Sequence, residues 1–128
     1  METDDLLERW EEVYKKGLLS FWILLLLHER SSYPFEMRLL IEEISQGTIS
    51  AEDNSIYRTL TRFADIGIVG SEIKPSDQGP NRRYYHLTDK GCDLLKRFTE
   101  RNIRVFESPQ VASRIESICL KNSAEEMQ

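Results

Sequence analysis

Apolar side chains recur at helical spacing between residues 4 and 15, at Leu6, Leu7, Trp10, Val13 and Tyr14, and the opposite face is charged. The spacing predicts an amphipathic helix that Thr3 or Asp4 can cap, and such a helix needs something apolar to lie on. Residues 16–29 carry a second helical pattern, separate from the first or continuous with it. Its run LLSFWILLLL is apolar nearly all round, which places it at the centre of a core. The run is ten residues long, against the roughly 20 needed to span a bilayer. It also follows an acidic start, which is not the order of a signal peptide.

Ser31-Ser32-Tyr33-Pro34 marks the next helix start, because proline suits a first turn whose N–H has no partner. This helix is expected to reach Ile44, with Phe35, Leu39, Leu40 and Ile44 inward, and to end at Gln46-Gly47. A third helix is expected from Ser50 as N-cap, with Asp53 completing a variant capping box. At 100° per residue, Ile56, Leu60, Phe63 and Ile66 share one side of it. Asn54, Tyr57, Arg58, Thr61, Arg62 and Asp65 share the other. Gly67 ends it.

The period then changes to two. IVGSEIK at 68–74 reads as a strand, PSDQGPN at 75–81 as a turn, and RRYYHL at 82–87 as the returning strand. Alternation sets Arg83, Tyr85 and Leu87 on one face and Arg82, Tyr84 and His86 on the other, with Leu87 and Tyr85 toward the core. Thr88 caps a further helix expected to run to Phe106, with Leu94, Leu95, Phe98 and Val105 apolar. Ser108-Pro109 restarts a last helix, about 109–121, striped by Val111, Ile115, Ile118 and Cys119. SAEEMQ is expected to be a frayed polar tail.

Three helices, a hairpin, then more helices is the element order of a winged helix-turn-helix domain. The fold class expected is mainly α with a small β-hairpin wing, flanked by N- and C-terminal dimerisation helices. The chain divides accordingly into an N-terminal amphipathic helix (1–16), a winged DNA-binding domain (17–88) and C-terminal dimerisation helices with a polar tail (89–128). In such folds the third helix enters the major groove and the wing lies along the backbone.

The formal net charge of −5 does not decide against nucleic acid, since local distribution governs that interaction. Residues 1–16 hold six acids against Arg9, Lys15 and Lys16, whereas 54–63 hold Arg58 and Arg62 and no acid, and 80–88 hold Arg82 and Arg83 and no acid. Cys92 and Cys119 form neither a disulfide framework nor a Cys-x-x-Cys motif and are expected to be small buried or semi-buried residues of a reducing cytoplasm. His28 and His86 make no metal-ligand cluster with them. No nucleophile–base set or phosphate-binding glycine loop appears, so neither enzymatic activity nor a cofactor is expected.

Three segments carry a resemblance. LLSFWILLLLHERSSYPFEM resembles the apolar first helix and following tyrosine-rich segment of the PadR family of prokaryotic transcriptional regulators. NSIYRTLTRFADIGIV resembles that family's recognition helix, and GPNRRYYHLTDKG its wing and fourth-helix start. The resemblance covers about residues 17–99 and implies a dimeric DNA-binding repressor that dimerises through the helices beyond the wing. Pro34 stands where the family usually has glycine, Asn54 and Arg58 where glycine and proline are common, and Phe63 where leucine is usual. Some compact members bind flat aromatic compounds through a tryptophan on the fourth helix. Here Trp10 and Trp22 lie elsewhere, so that role is not carried over.

These readings assign the expected DNA contacts. Arg58 reaches a base edge, most simply guanine O6/N7, and Arg62 reaches base or phosphate; Asn54 and Thr61 share their face. Ser55 and Tyr57 meet phosphate near the helix start, the alternative for Tyr57 being to pack under the wing. Arg82 and Arg83 bind phosphate, with Tyr84 beside them, and Tyr33 is a phosphate contact by resemblance. Leu6, Trp10, Leu94, Leu95, Phe98, Val111, Ile115 and Ile118 are the expected dimer interface. The expected partners are double-stranded DNA and a second copy of the chain, with no membrane. A small-molecule effector, if one exists, would act by shifting the separation of the two heads. The rival reading is a winged-helix adaptor that binds protein rather than DNA.

Overall fold

The computed structural model describes the backbone of residues 1–126 and the side chains of residues 1–120. The tail expected to fray, 123–128, is instead helical in its backbone as far as Glu126, and residues 127–128 lie outside the described residues. The elements are α1 (Thr3–Glu29), α2 (Pro34–Ile44), α3 (Asp53–Asp65), β1 (Val69–Lys74), β2 (Arg82–Leu87), α4 (Asp89–Phe98) and α5 (Pro109–Glu126). A π-helical turn, Thr99–Ile103, and a 3-10 turn, Arg104–Glu107, separate α4 from α5. The chain forms two units, Met1–Leu95 and Lys96 onward. Among the described residues no helix is long and apolar enough to cross a membrane.

The first unit is the winged helix-turn-helix. Its α1 runs without a break through residue 16, so the two helical patterns are one helix. Ile23, Leu24, Leu26 and Leu27 bury the second half of α1 against Met37 and Ile41 of α2 and Ile56, Leu60 and Phe63 of α3. The first half leaves Leu6, Leu7, Trp10, Val13 and Tyr14 exposed. Neither Thr3 nor Asp4 caps α1: Glu2 holds the N-cap position and supplies its carbonyl to the Leu6 N–H at 3.1 Å.

Pro34 opens α2 as expected, but the buried face is Pro34, Met37 and Ile41. Phe35, Leu39 and Ile44, read as inward, are exposed, and Leu40 is half-buried. The helix carries apolar residues on more than one side, so spacing alone did not select the stripe that meets α1. After α2, Gln46 (φ 54°) and Gly47 (φ 77°) take left-handed conformations. Buried Ser45 closes the turn: its Oγ accepts the Ile49 N–H at 3.1 Å, and the Thr48 hydroxyl donates to the Ser45 carbonyl at 2.7 Å.

The third helix starts at Asp53 rather than just after Ser50. Glu52 is the N-cap residue and no side chain caps it; Asp53, now the first helical residue rather than the third, has its carboxylate 2.9 Å from Arg38 Nε of α2. Ile56, Leu60 and Phe63 are buried as expected, whereas Ile66 is exposed as the C-cap residue. Gly67 (φ 82°) then reverses the chain, its N–H donating to Ala64 O at 3.1 Å while the Ile68 N–H donates to Phe63 O at 3.0 Å. This paired closure is the Schellman motif, and glycine takes the left-handed position without a Cβ penalty.

The hairpin pairs Val69 with Leu87 through Lys74 with Arg82, antiparallel. Its inner end reaches the core through Val69 and Tyr85, with Leu87 partly buried against them. Burial raises the Tyr85 phenol above its ordinary value; the Arg83 charge opposes this and Tyr57 adds to it. Thr88 caps α4 as expected, its Oγ1 accepting the Gly91 N–H at 3.1 Å and donating to Gly67 O at 2.7 Å. Lys90 Nζ donates to Ile66 O at 2.9 Å, so two side chains from the start of α4 satisfy carbonyls at the end of α3. Gly91 is buried, and a Cβ there would lie 2.1 Å from the Ile68 carbonyl oxygen.

The second unit does not continue α4 to Phe106. The helix ladder changes at Thr99, where the Arg104 N–H reaches Thr99 O across a π turn and the Asn102 side-chain amide donates to Phe98 O at 3.2 Å. Ser108 is extended and Pro109 opens α5, as expected. Both cysteines are exposed, against the expectation of burial: Cys92 lies on the outward side of α4 and Cys119 on α5. Leu95 is buried in the first unit's own core and is thereby removed from the expected dimer face.

Two outcomes follow. Gly91→Ala should lower unfolding stability by about 1–3 kcal/mol, the usual cost of overpacking, read as a lower urea midpoint with unchanged slope. The raised Tyr85 phenol contributes stability that is fully present below the unfolded-state value of 10.0 and is lost as pH rises through the higher folded value. Urea unfolding from about pH 9 to about pH 11 should therefore show falling stability that Tyr85→Phe makes less steep.

Candidate nucleic-acid interface

The outward side of α3 is built as its periodicity demands. Asn54, Tyr57, Arg58, Thr61 and Arg62 are exposed, and Ser55 is half-buried at the first turn. Arg58 Nη2 donates to Ser55 Oγ at 3.4 Å, one turn back. The Arg62 guanidinium lies 5.8 Å from the Phe63 ring centroid. Asp65 is also exposed, at the C-terminal end of the helix. The acid at the opposite end, Asp53, has its charge matched by Arg38, which also lies 5.2 Å over the Phe35 ring.

The hairpin divides its two arginines between faces, because successive strand residues alternate. Arg83 sits across from Ile73, and its Nη1 donates to Ser71 Oγ at 3.0 Å. On the other face the Arg82 guanidinium lies 4.5 Å from the Tyr33 ring centroid. Tyr33 meets the Tyr84 ring edge-on, with centroids 5.3 Å apart and planes at 66°. Lys74 Nζ lies 4.8 Å from the Tyr84 centroid. The basic rim has acids near it that the reading of β2 alone left out: Glu72 of β1, paired with Lys74 at 3.4 Å, and Asp77 in the turn.

The wing shares a core with α3, where Tyr85 joins Ile56, Leu60 and Phe63, and the Tyr85 phenol feels both Arg83 and Tyr57. Tyr57 itself is exposed, at 50%. The wing meets the start of α2 through Ser32, which exchanges two backbone hydrogen bonds with Tyr85 at 3.1 and 2.8 Å. Sequence reasoning missed Ser32, Arg38, Ser71 and Lys74. Lys74 alone had a signal, since the hairpin register places it opposite Arg82; the other three act through contacts distant in sequence.

The residues expected to contact DNA, Tyr33, Asn54, Ser55, Tyr57, Arg58, Thr61, Arg62, Arg82, Arg83 and Tyr84, all lie in the first unit, on α3, the wing, and the segment leading into α2. Of the expected dimer residues, Leu6, Trp10, Leu94, Phe98, Ile115 and Ile118 are exposed and Val111 is half-buried.

Comparison with known proteins follows this architecture. Among solved structures, the PadR-like transcriptional regulator of Bacillus cereus is 27% identical, with 81% of this chain and 93% of that chain covered at a TM-score of 0.62. A PadR-like transcription factor from Bacteroides fragilis is 26% identical, covering 94% of this chain and 99% of that one at a TM-score of 0.59. PadR of Bacillus subtilis, solved in complex with operator DNA, shares the fold at a TM-score of 0.62 with 21% identity, covering 86% of this chain and 62% of that one. No curated protein matches the chain. The sequence profile described as the transcriptional regulator PadR-like family matches residues 23–97, and the chain belongs to that family.

Proposed function

We propose that the chain is a sequence-specific double-stranded DNA-binding regulator, a repressor that acts as a homodimer on a pseudo-palindromic operator in the cytoplasm. One observation carries this reading. Each arginine assigned to DNA is held by a neutral partner: Arg58 by Ser55, Arg62 by Phe63, Arg82 by Tyr33 and Arg83 by Ser71. Two other arginines of the same unit, Arg30 and Arg38, hold carboxylates, at 2.7 and 2.9 Å. The first group keeps its charge available for an incoming polyanion; the second does not. A relative of the same fold, PadR of Bacillus subtilis, has been solved with operator DNA, which supports the same reading.

In this reading α3 lies in the major groove. Arg58 takes guanine O6/N7, while Arg62, Asn54 and Thr61 contact neighbouring bases or phosphates, and Ser55 and Tyr57 hold the flanking backbone. The wing sets Arg82 and Arg83 against phosphates, with Tyr84 and Tyr33 behind them. The functional division is into an N-terminal helix (1–16), the DNA-binding domain (17–88) and dimerisation helices (89–128). The apolar face of α1 at Leu6 and Trp10, and the faces carrying Leu94, Phe98, Val111, Ile115 and Ile118, each meet the partner copy. Two recognition helices would then read half-sites about 34–36 Å apart.

The roles separate experimentally. Arg58→Ala should cost about 1–3 kcal/mol on the preferred site and relax selectivity at the base pair it reads. Arg83→Ala should weaken binding on all sequences alike and reduce the salt slope by about 0.9. Titrations of selected and scrambled duplexes across a salt series measure both. A wild-type protein with no salt-dependent duplex affinity would instead favour the protein-binding adaptor.

The dimer has its own check. Ile115→Asp with Ile118→Asp should convert the protein from dimer to monomer by light scattering. Binding to a full palindrome should weaken far more than binding to a half-site, because the second head's gain through high effective concentration is lost.

A further inference from the structure

We propose that Tyr33 acts as a positioning residue for Arg82 rather than as a phosphate ligand, so that its ring and not its hydroxyl supports DNA binding. The inference rests on the DNA-binding reading above and assigns one residue's part in it. Tyr33 has little freedom. Ser32 before it is fully buried and double hydrogen-bonded to Tyr85, and Pro34 after it opens α2. A residue preceding proline is restricted to extended backbone, and Tyr33 is extended, with φ −105° and ψ 157°. Strand alternation from the Ser32–Tyr85 bridge then places its ring on the face of β2 that carries Tyr84 and Arg82.

The result is a ladder of alternating function, Arg82 on Tyr33, Tyr33 edge-on to Tyr84, and Lys74 on Tyr84, with spacings of 4.5, 5.3 and 4.8 Å. A ring face attracts a guanidinium without engaging its five N–H donors, which point outward in the cation's own plane. Those donors stay available for bidentate phosphate contact. Arg83, by contrast, already commits an N–H to Ser71 Oγ at 3.0 Å. The ladder therefore fixes Arg82 in direction while leaving its hydrogen-bonding capacity intact.

The test is a mutant cycle on the full-length protein with a selected duplex, read as dissociation constants across a salt series. Tyr33→Phe keeps the ring and should bind within about twofold of wild type, whereas Tyr33→Leu keeps apolar bulk without the π face and should weaken binding about three- to tenfold. The Leu change should add nothing to Arg82→Ala, yet multiply with Arg83→Ala. The ring-current shift of the Arg82 δ-methylene protons, measured by NMR without DNA, should persist in Tyr33→Phe and vanish in Tyr33→Leu; circular dichroism confirms that both variants fold. The proposal is overturned if the Phe variant loses as much as the Leu variant, if the Leu variant binds normally, or if the Leu and Arg82→Ala losses multiply. A wild-type protein that ignores duplex DNA overturns the DNA reading itself, and this inference with it, a result distinct from normal wild-type binding with a multiplicative cycle.

Discussion

A two-stranded hairpin is marginal on its own in water, so everything the wing does depends on how its inner end is tied down. The tie is the exchange of two backbone hydrogen bonds between Ser32 and Tyr85, with Tyr85 buried and Ser32 fully so. It sets an isolated bridge against the edge of β2 and gives the Ser32 and Tyr85 backbone groups their partners. The bridge stands beside α2 at one end and at the foot of β2 at the other. It therefore fixes the direction of the wing relative to the helix-turn-helix. The start of α4 adds a second fastening, where Gly91 lets the backbone approach the Ile68 carbonyl and the Thr88 hydroxyl and Lys90 ammonium donate to carbonyls at the end of α3. One short sequence, LTDKG at 87–91, thus ends the wing, caps one helix and starts another.

Much of this was legible because the relevant signals are local. Pro34, Gly67, Thr88 and Ser108-Pro109 mark boundaries through properties of single residues: a missing N–H, a tolerated left-handed φ, a hydroxyl within reach of a free N–H. The hairpin's faces follow from a strict period of two, and the outward side of α3 from a period of 3.6. What was not legible depended on partners distant in sequence. Asp53 looked like half of a capping box, yet it is the first helical residue and its carboxylate meets Arg38. Phe35 and Leu39 looked like core because they are apolar, yet Met37 and Ile41 face α1. The π turn after Phe98 has no periodic signature, since it adds one residue to a helix that otherwise keeps its composition.

The acidic balance and the basic rim are reconciled by where each cation's partner lies. Exposed ion pairs contribute only about 0–1 kcal/mol, so Arg30 with Glu36 or Arg38 with Asp53 is a weak source of stability. Their consequence is electrostatic placement. Asp53 stands at the N-terminal end of α3, and Arg38 at 2.9 Å partly offsets its charge there. Glu72 and Lys74 do the same for each other on the wing. The net charge of −5 is carried elsewhere in good part, with six acids in residues 1–16, and at physiological salt such charges are screened beyond about 8 Å.

Holding an arginine by a neutral group has a thermodynamic logic of its own. A long cationic side chain left unconstrained loses rotamer entropy when it is fixed on phosphate, at about 0.5–1.5 kcal/mol for each ordered side chain. One paired with a carboxylate is already ordered, but must give up that pair to bind. A hydroxyl or a ring face reduces the first cost without imposing the second. The hydroxyl does so by engaging one donor, as Ser71 does for Arg83, and the ring by engaging none, as Tyr33 does for Arg82. The arginines of α3 and the wing differ in their partners, but all have this kind of support. Such support favours binding that depends on geometry as well as on charge, which is what a protein of acidic composition needs if it is to select one duplex site rather than adhere to any.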